Sequence, residues 1–207
     1  MRKGWLSLAV IGVCGVAALA CGGDSTADLL TPDQAVQEVV PTPVVPEPPP
    51  AASATLVGWT DFTSDSGRFS VKMPSTPQET VQPTPVPGMG SIDTHMFMSL
   101  SGNDAYMIGY ADYPNEMMGI VPAAEVLKGA QDGAVANTGG SILDQQALTV
   151  GGREARQVKT TVPAMPGGVM VSRFFLVNNR MYMAVGVFSS EPSQETVNGW
   201  LDSFVVP

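Results

Sequence analysis

The stretch "VMVSRFFLVNNRMYMAVGVF" (169–188) has the pattern of two strands joined by a tight turn. Both halves are rich in β-branched and aromatic residues, which favour strands. Asn178-Asn179 at the centre tolerates the positive φ that a two-residue hairpin turn requires. The sequence therefore predicts an antiparallel hairpin with strands over 169–177 and 180–188.

Strand patterns continue on the N-terminal side of this hairpin. Gly151-Gly152 joins two further strand-like runs, 142–150 and 153–162, which predicts a second hairpin. In "GRFSVKMP" (67–74) apolar and polar residues alternate, as in a half-buried strand.

The stretch "SIDTHMFMSL" (91–100) also alternates, and "AYMIGYADY" (105–113) follows it after a turn. A strand over 91–100 has one apolar and one polar face. The apolar face would hold Ile92, Met96, Met98 and Leu100, and the polar face Asp93 and His95.

Two segments have the periodicity of helices. Pro122 opens a helix to about residue 137 that ends at Gly139-Gly140, and Pro192 opens a second one. Their apolar stripes are Val126, Leu127, Ala130 and Ala134 in the first, and Val197, Trp200, Leu201 and Phe204 in the second. Antiparallel hairpins with two segregated helices predict an α+β fold, an antiparallel sheet with helices covering one face.

The N-terminal 23 residues have the order of an export signal. Arg2 and Lys3 precede an uncharged run from Trp5 to Ala20, and small residues surround Cys21. This stretch resembles a bacterial lipobox, in which the thiol receives diacylglycerol and the peptide is cut before the cysteine. The resemblance implies a signal peptide over 1–20 and a lipid on Cys21, anchored to the cell membrane or the outer membrane. An uncleaved membrane helix over 4–23 and a plain signal peptide remain alternatives.

Residues 21–56 form a predicted linker. The segment carries five acidic residues and no Lys or Arg, and it contains "PTPVVPEPPP" (41–50). Proline fixes φ and favours extended polyproline II, so we expect a flexible, disordered tether. It is interpreted as a spacer that lifts the domain over 57–207 off the membrane; the alternative is a mere join.

Charge and cysteine content restrict the function. Removing residues 1–20 takes away Arg2 and Lys3 and leaves 8 Lys and Arg against 19 Asp and Glu, a net charge of −11. Such a chain is repelled by phosphate backbones, so no nucleic-acid partner is expected. Cys21 would be the single cysteine of the processed chain, which excludes disulfides and cysteine-based metal sites.

The order of segments over about 59–206 resembles the PsbP-like family of secreted domains. The resemblance is carried by "FTSDSGRFSVKMPSTP", "DAYMIGYADYP", "GAQDGAVANTGGSIL", "GGREAR", "RFFLVNNRMYMAVGV" and "WLDSFVV". It implies a non-enzymatic domain that docks on membrane complexes or other proteins through a sheet flanked by helices. None of the family's ion-binding or photosystem-docking residues matches a position here.

Motifs that could carry catalysis are weak. "DSG" (65–67) matches an aspartic-protease loop, but that chemistry needs two such loops, so a tight turn is expected. His95 is the only histidine of the chain and is interpreted as a solvent-facing strand residue. Neither a nucleophile motif nor a two-histidine zinc motif is present, so no enzyme activity and no cofactor are predicted.

Methionine is the unusual feature of the domain. The domain includes Met96, Met98, Met107, Met117, Met118, Met165, Met170, Met181 and Met183. Thioethers favour Cu(I), and "HMFM" (95–98) and "MYM" (181–183) each place two sulfurs on one strand face. The alternative is that these side chains fill gaps in the core.

Two surface features are candidates for contacts. Met117, Met118 and Ile120 lie in the apolar loop "YPNEMMGIVP" (113–122), which either covers a sheet edge or exposes a patch for a partner. A second group, Arg153, Arg156, Lys159 and Arg173, forms either an anion-attracting spot or a solvated face.

The sequence thus predicts a lipid-anchored, extracytoplasmic binding or scaffolding module with an envelope protein as its partner. A methionine-based Cu(I)-handling protein is the alternative.

Overall fold

The computed structural model describes residues 56–86 and 90–206. The predicted signal peptide, Cys21 and the predicted linker as far as residue 55 lie outside the described residues. Among the helices within these two ranges, none has the length and apolar composition that crossing a bilayer requires.

Nine strands and three helices form the described part of the chain. The strands are β1 Thr60–Ser64, β2 Phe69–Met73, β3 Gln78–Val86, β4 Gly90–Ser101, β5 Asp104–Asp112, β6 Ile142–Val150, β7 Arg153–Thr161, β8 Val169–Val177 and β9 Arg180–Phe188. The helices are α1 Asn115–Met118, α2 Ala123–Thr138 and α3 Gln194–Asp202.

Seven strands form the main sheet in the order β3-β4-β5-β9-β8-β7-β6, and every neighbouring pair is antiparallel. β1 and β2 form a separate two-stranded sheet. The predicted antiparallel α+β fold is therefore confirmed.

The two longer helices pack on opposite faces of the main sheet. Successive strand residues point to opposite sides, and in β8 Phe175 packs with α3 and the β1–β2 hairpin, whereas Phe174 packs with α2. We call these sides the α3 face and the α2 face. The expectation that both helices cover one face is wrong, because each has its own apolar layer on the sheet.

The β1–β2 hairpin is fixed to the α3 face by its turn. Tyr182 Oη donates a 2.8 Å hydrogen bond to the Gly67 carbonyl, and Arg180 Nη1 donates one of 2.7 Å to the Ser66 carbonyl. A Cβ at Gly67 would lie 2.4 Å from the Phe69 ring, so this turn requires glycine. "DSG" is thus a turn between strands, as predicted.

Trp200 of α3 belongs to the apolar layer on the α3 face. Its side chain is fully buried, and its ring lies edge-on to Tyr106 at 5.1 Å between centroids. Burial, together with the nearby charge of Asp104, raises the pKa of Tyr106 to about 12.

Element boundaries agree closely with the sequence patterns in the second half of the domain. β8 and β9 have the predicted ends, Asn178 has φ 56°, and Gly139 ends α2 with φ 61°. Sequence patterns did not identify β1 or β3, and α1 is one helical turn inside a predicted loop.

Candidate interaction surface

The two edges of the main sheet differ in their chemistry. β3 is one edge, and Pro83 and Pro85 lie within it. Proline has no N–H to donate to a further strand, so it protects an edge from pairing. β6, the other edge, contains no proline over its nine residues.

β6 is also highly exposed, as is β3. None of its nine residues is buried, and only Leu148 and Val150 are half-buried. Ile142 and Leu143 at its start are 45% and 51% exposed, next to a β-bulge. An edge strand of this length with apolar side chains in solvent is a template for strand pairing.

The turn between β6 and β7 determines which backbone groups of β6 face outward. Gly151 and Gly152 both have positive φ, 56° and 78°, as in a two-residue hairpin turn. Such a turn is flanked by a hydrogen-bonded pair, here Val150 and Arg153. Hydrogen-bonded and non-hydrogen-bonded pairs then alternate along the ladder.

The outward N–H and C=O groups therefore belong to alternate residues of β6, namely Gln145, Ala147 and Thr149. They are opposite Val158, Arg156 and Glu154 of β7.

A small cavity lies beside these groups. Its volume is about 280 Å³, and its walls include Leu127 of α2, Ala147 of β6, and Glu154 and Arg156 of β7. Arg156 is half-buried, and its side chain makes no hydrogen bond or ion pair with other residues of the described ranges. The cavity is large enough for one side chain of an adjacent strand.

The other three predicted basic residues make hydrogen bonds or ion pairs. Arg173 is 6% exposed, and it donates to Gln157 Oε1 at 2.9 Å and to Asp202 Oδ1 at 2.9 Å. Lys159 pairs with Glu191, and Arg153 donates to the Val206 carbonyl. The four basic residues therefore do not form a uniform solvated face, because Arg173 is buried and its hydrogen bond to Asp202 connects β8 to α3.

The residues of the predicted apolar patch in the loop over 113–122 differ in their exposure. Ile120 is 81% exposed, Met118 is half-buried, and the side chain of Met117 lies outside the described residues. Tyr113 and Asn179 tie the start of this loop to the β8–β9 turn through two hydrogen bonds. Of the two patch residues whose side chains are described, only Ile120 is exposed.

The methionines of three adjacent strands come together on the α2 face. Met98 is directly opposite Met107, and Gly109 lies between Met96 and Met183. A Cβ at Gly109 would lie 3.2 Å from Met183 Sδ, so the glycine makes room for the thioether. Met96 and Met183 are 5% and 3% exposed, which favours a packing role for them.

His95 lies in β4 opposite Tyr110, on the α3 face of the main sheet. Its ring stacks on Tyr110 at 4.6 Å and 3°, its Nδ1 is 3.1 Å from Glu79 Oε1, and its side chain is 28% exposed. The guanidinium of Arg180 also lies over the Tyr110 ring and makes two 2.6 Å hydrogen bonds to Asp112. These hydrogen bonds hold the pKa of Asp112 below its usual value. The predicted solvent-facing position of His95 is therefore only partly correct.

No family model matches this sequence, and no curated protein matches it. Among solved structures, the chain is similar to cyanobacterial PsbP from Synechocystis, with 11% identity and a TM-score of 0.49, over 78% of this chain and 96% of that one. It is also similar to a protein of unknown function from Pseudomonas aeruginosa, with 11% identity and a TM-score of 0.39, over 72% of this chain and 96% of that one.

Sequence reasoning did not identify β6 as a sheet edge and candidate surface, since an edge is defined by strand order and not by local pattern. Pro83 and Pro85 mark the opposite edge only once β3 is known to be a strand.

Proposed function

We propose that this protein is a lipid-anchored, extracytoplasmic binding module that presents the domain over 57–207 to a protein partner in the cell envelope. The observation that carries the binding part is the open β6 edge, with exposed apolar residues and outward backbone groups. A strand edge without proline offers unpaired donors and acceptors to a partner.

The anchoring part is supported by the sequence. Small residues surround Cys21 at the end of an uncharged run, and the processed chain would carry a net charge of −11. Anionic lipid repels such a chain, so acyl chains would have to hold it at the membrane.

The experiment compares three forms of the protein in the cell that produces it: the wild type, Cys21→Ala, and a fusion of residues 1–56 to an unrelated domain. Membranes are cross-linked and solubilised, and the proteins that co-purify are quantified by mass spectrometry. We expect an envelope protein enriched with the wild type and not with the fusion, and a Cys21→Ala chain that retains residues 1–20 and carries no lipid. Equal enrichment with the fusion would reject the binding module, and Cys21→Ala cut before residue 21 like the wild type would reject the anchor.

Cu(I) handling is a second candidate, favoured by the Met98–Met107 pair on adjacent strands. Both side chains are half-buried, so solvent reaches this part of the α2 face. Anaerobic competition with a chromophoric Cu(I) chelator would measure the affinity. We expect Met98→Leu with Met107→Leu to lose binding and the control Met165→Leu to keep it. Equal affinity in all three proteins would remove this candidate.

A further inference from the structure

We propose that the partner binds as an added strand: an extended peptide segment pairs with β6 and places an acidic side chain opposite Ala147, within reach of Arg156. This inference rests on the proposed function and specifies the chemistry of the partner.

The first argument is the availability of backbone groups. Gln145, Ala147 and Thr149 direct their N–H and C=O groups away from β7, as the hairpin turn requires. An extended segment satisfies these groups by continuing the ladder, which provides affinity for any sequence.

The second argument is the side chain that the edge selects. Gln145, Ala147 and Thr149 have their side chains on the α2 face, as does Arg156 opposite Ala147. An added residue opposite Ala147 lies two strand spacings, about 10 Å, from the Arg156 backbone. Because Ala147 is small, the Arg156 side chain can extend over it and meet a carboxylate of the partner.

The third argument is the local charge. The domain over 57–207 carries 8 Lys and Arg against 14 Asp and Glu. The β6–β7 hairpin reverses this balance, with three cations against Asp144 and Glu154, whereas the β3–β4 hairpin carries Glu79 and Asp93 without Lys or Arg. An acidic segment is therefore repelled least at β6. A second copy of this acidic domain is a poorer occupant, because its net charge opposes association.

The test uses full-length protein in detergent and three fluorescent probes. Each probe is a nine-residue peptide of alternating Thr and Val with Glu, Gln or Lys at its centre, and anisotropy gives its Kd. We expect the Glu probe to bind about fivefold more tightly than the Lys probe, the effect of one partly exposed ion pair.

Two substitutions at one site separate backbone pairing from side-chain effects. Ala147→Pro removes an outward N–H, which an edge strand tolerates, and should weaken all three probes at least about tenfold. Ala147→Ser keeps the N–H and should change affinity less than about twofold. Arg156→Gln leaves the backbone intact and should equalise the Glu and Lys probes.

Unchanged probe affinity in folded Ala147→Pro would overturn the inference, as would equal Glu and Lys affinities in the wild type or absence of saturable binding. A wild type that sediments as a dimer, with Ala147→Pro a monomer, would assign the edge to a second copy and also overturn it. If Ala147→Pro still enriches the envelope partner from cells, strand addition fails and the binding module stands. If the wild type enriches none, the proposed function itself fails.

Discussion

Replacing Gly140 by alanine should destabilise the domain far more than the same change at Gly139, its neighbour. Both residues connect α2 to β6. A Cβ at Gly140 would lie 1.9 Å from the Thr161 carbonyl oxygen, a backbone atom of β7. Thr161 cannot easily move, because its N–H donates to the Ser141 carbonyl at 3.0 Å and its Oγ1 accepts from the Ser141 N–H at 2.9 Å.

The expected cost follows from these contacts. Overpacking against a fixed neighbour costs roughly 1–3 kcal/mol, and losing one of the two hydrogen bonds adds about 1 kcal/mol. We therefore expect Gly140→Ala to lower the free energy of unfolding by about 3 kcal/mol, and Tm by about 6–12 °C. Gly139 has φ 61° and no atom within 4 Å of an added Cβ, so Gly139→Ala should cost about 1 kcal/mol.

Urea and thermal unfolding followed by circular dichroism measure both variants in the full-length protein. A Gly140→Ala variant as stable as Gly139→Ala would refute the close approach of α2's end to β7, and with it the position of the β6 edge.

Three further variants test the α3 face. Tyr182→Phe leaves the Gly67 carbonyl without its donor and should cost about 1–3 kcal/mol in urea unfolding, whereas no loss would mean that the hairpin turn is not fixed there. Trp200→Ala removes a fully buried ring and should cost about 3–5 kcal/mol by the same assay; a cost under about 1 kcal/mol would contradict the packing. Hydrogen bonds from Arg180 hold the pKa of Asp112 in the folded protein below its unfolded pKa of about 4. The Asp112 carboxylate therefore stabilises the fold above about pH 4, and this stabilisation is lost as the pH falls through the pKa of the folded state. The stability difference between wild type and Asp112→Asn should therefore shrink in acid unfolding series below about pH 4, and a constant difference would contradict the ion pair.

Local signals predicted the second half of the domain well because each is short-range. Asn178 sits at positive φ between β8 and β9, and Gly151-Gly152 closes the β6–β7 turn. Such turns depend on the conformational preference of one or two residues, which the sequence states directly.

The parts that the sequence missed depend on tertiary context. β3 contains Pro83 and Pro85, which argue against a strand, and it forms because an edge strand needs hydrogen bonds on one side only. The placement of α2 and α3 on opposite faces was also not predicted. Both apolar stripes were identified, but a stripe does not specify which side of the sheet it covers.

The candidate interaction surface was also predicted only in part. Ile120 was recognised as apolar, and the structure leaves it exposed. Arg173 was counted with the surface cations, yet it is buried and pairs with Asp202 of α3, 29 residues away in sequence. The β6 edge emerges only from the strand order.

We propose that this domain is held at a membrane outside the cytoplasm through Cys21. The most direct test is intact-mass analysis of the protein purified from the membranes of the cell that produces it. We predict a chain that begins at residue 21 and carries diacylglycerol on the sulfur. A chain that retains residues 1–20, or one with an unmodified thiol at position 21, would contradict it.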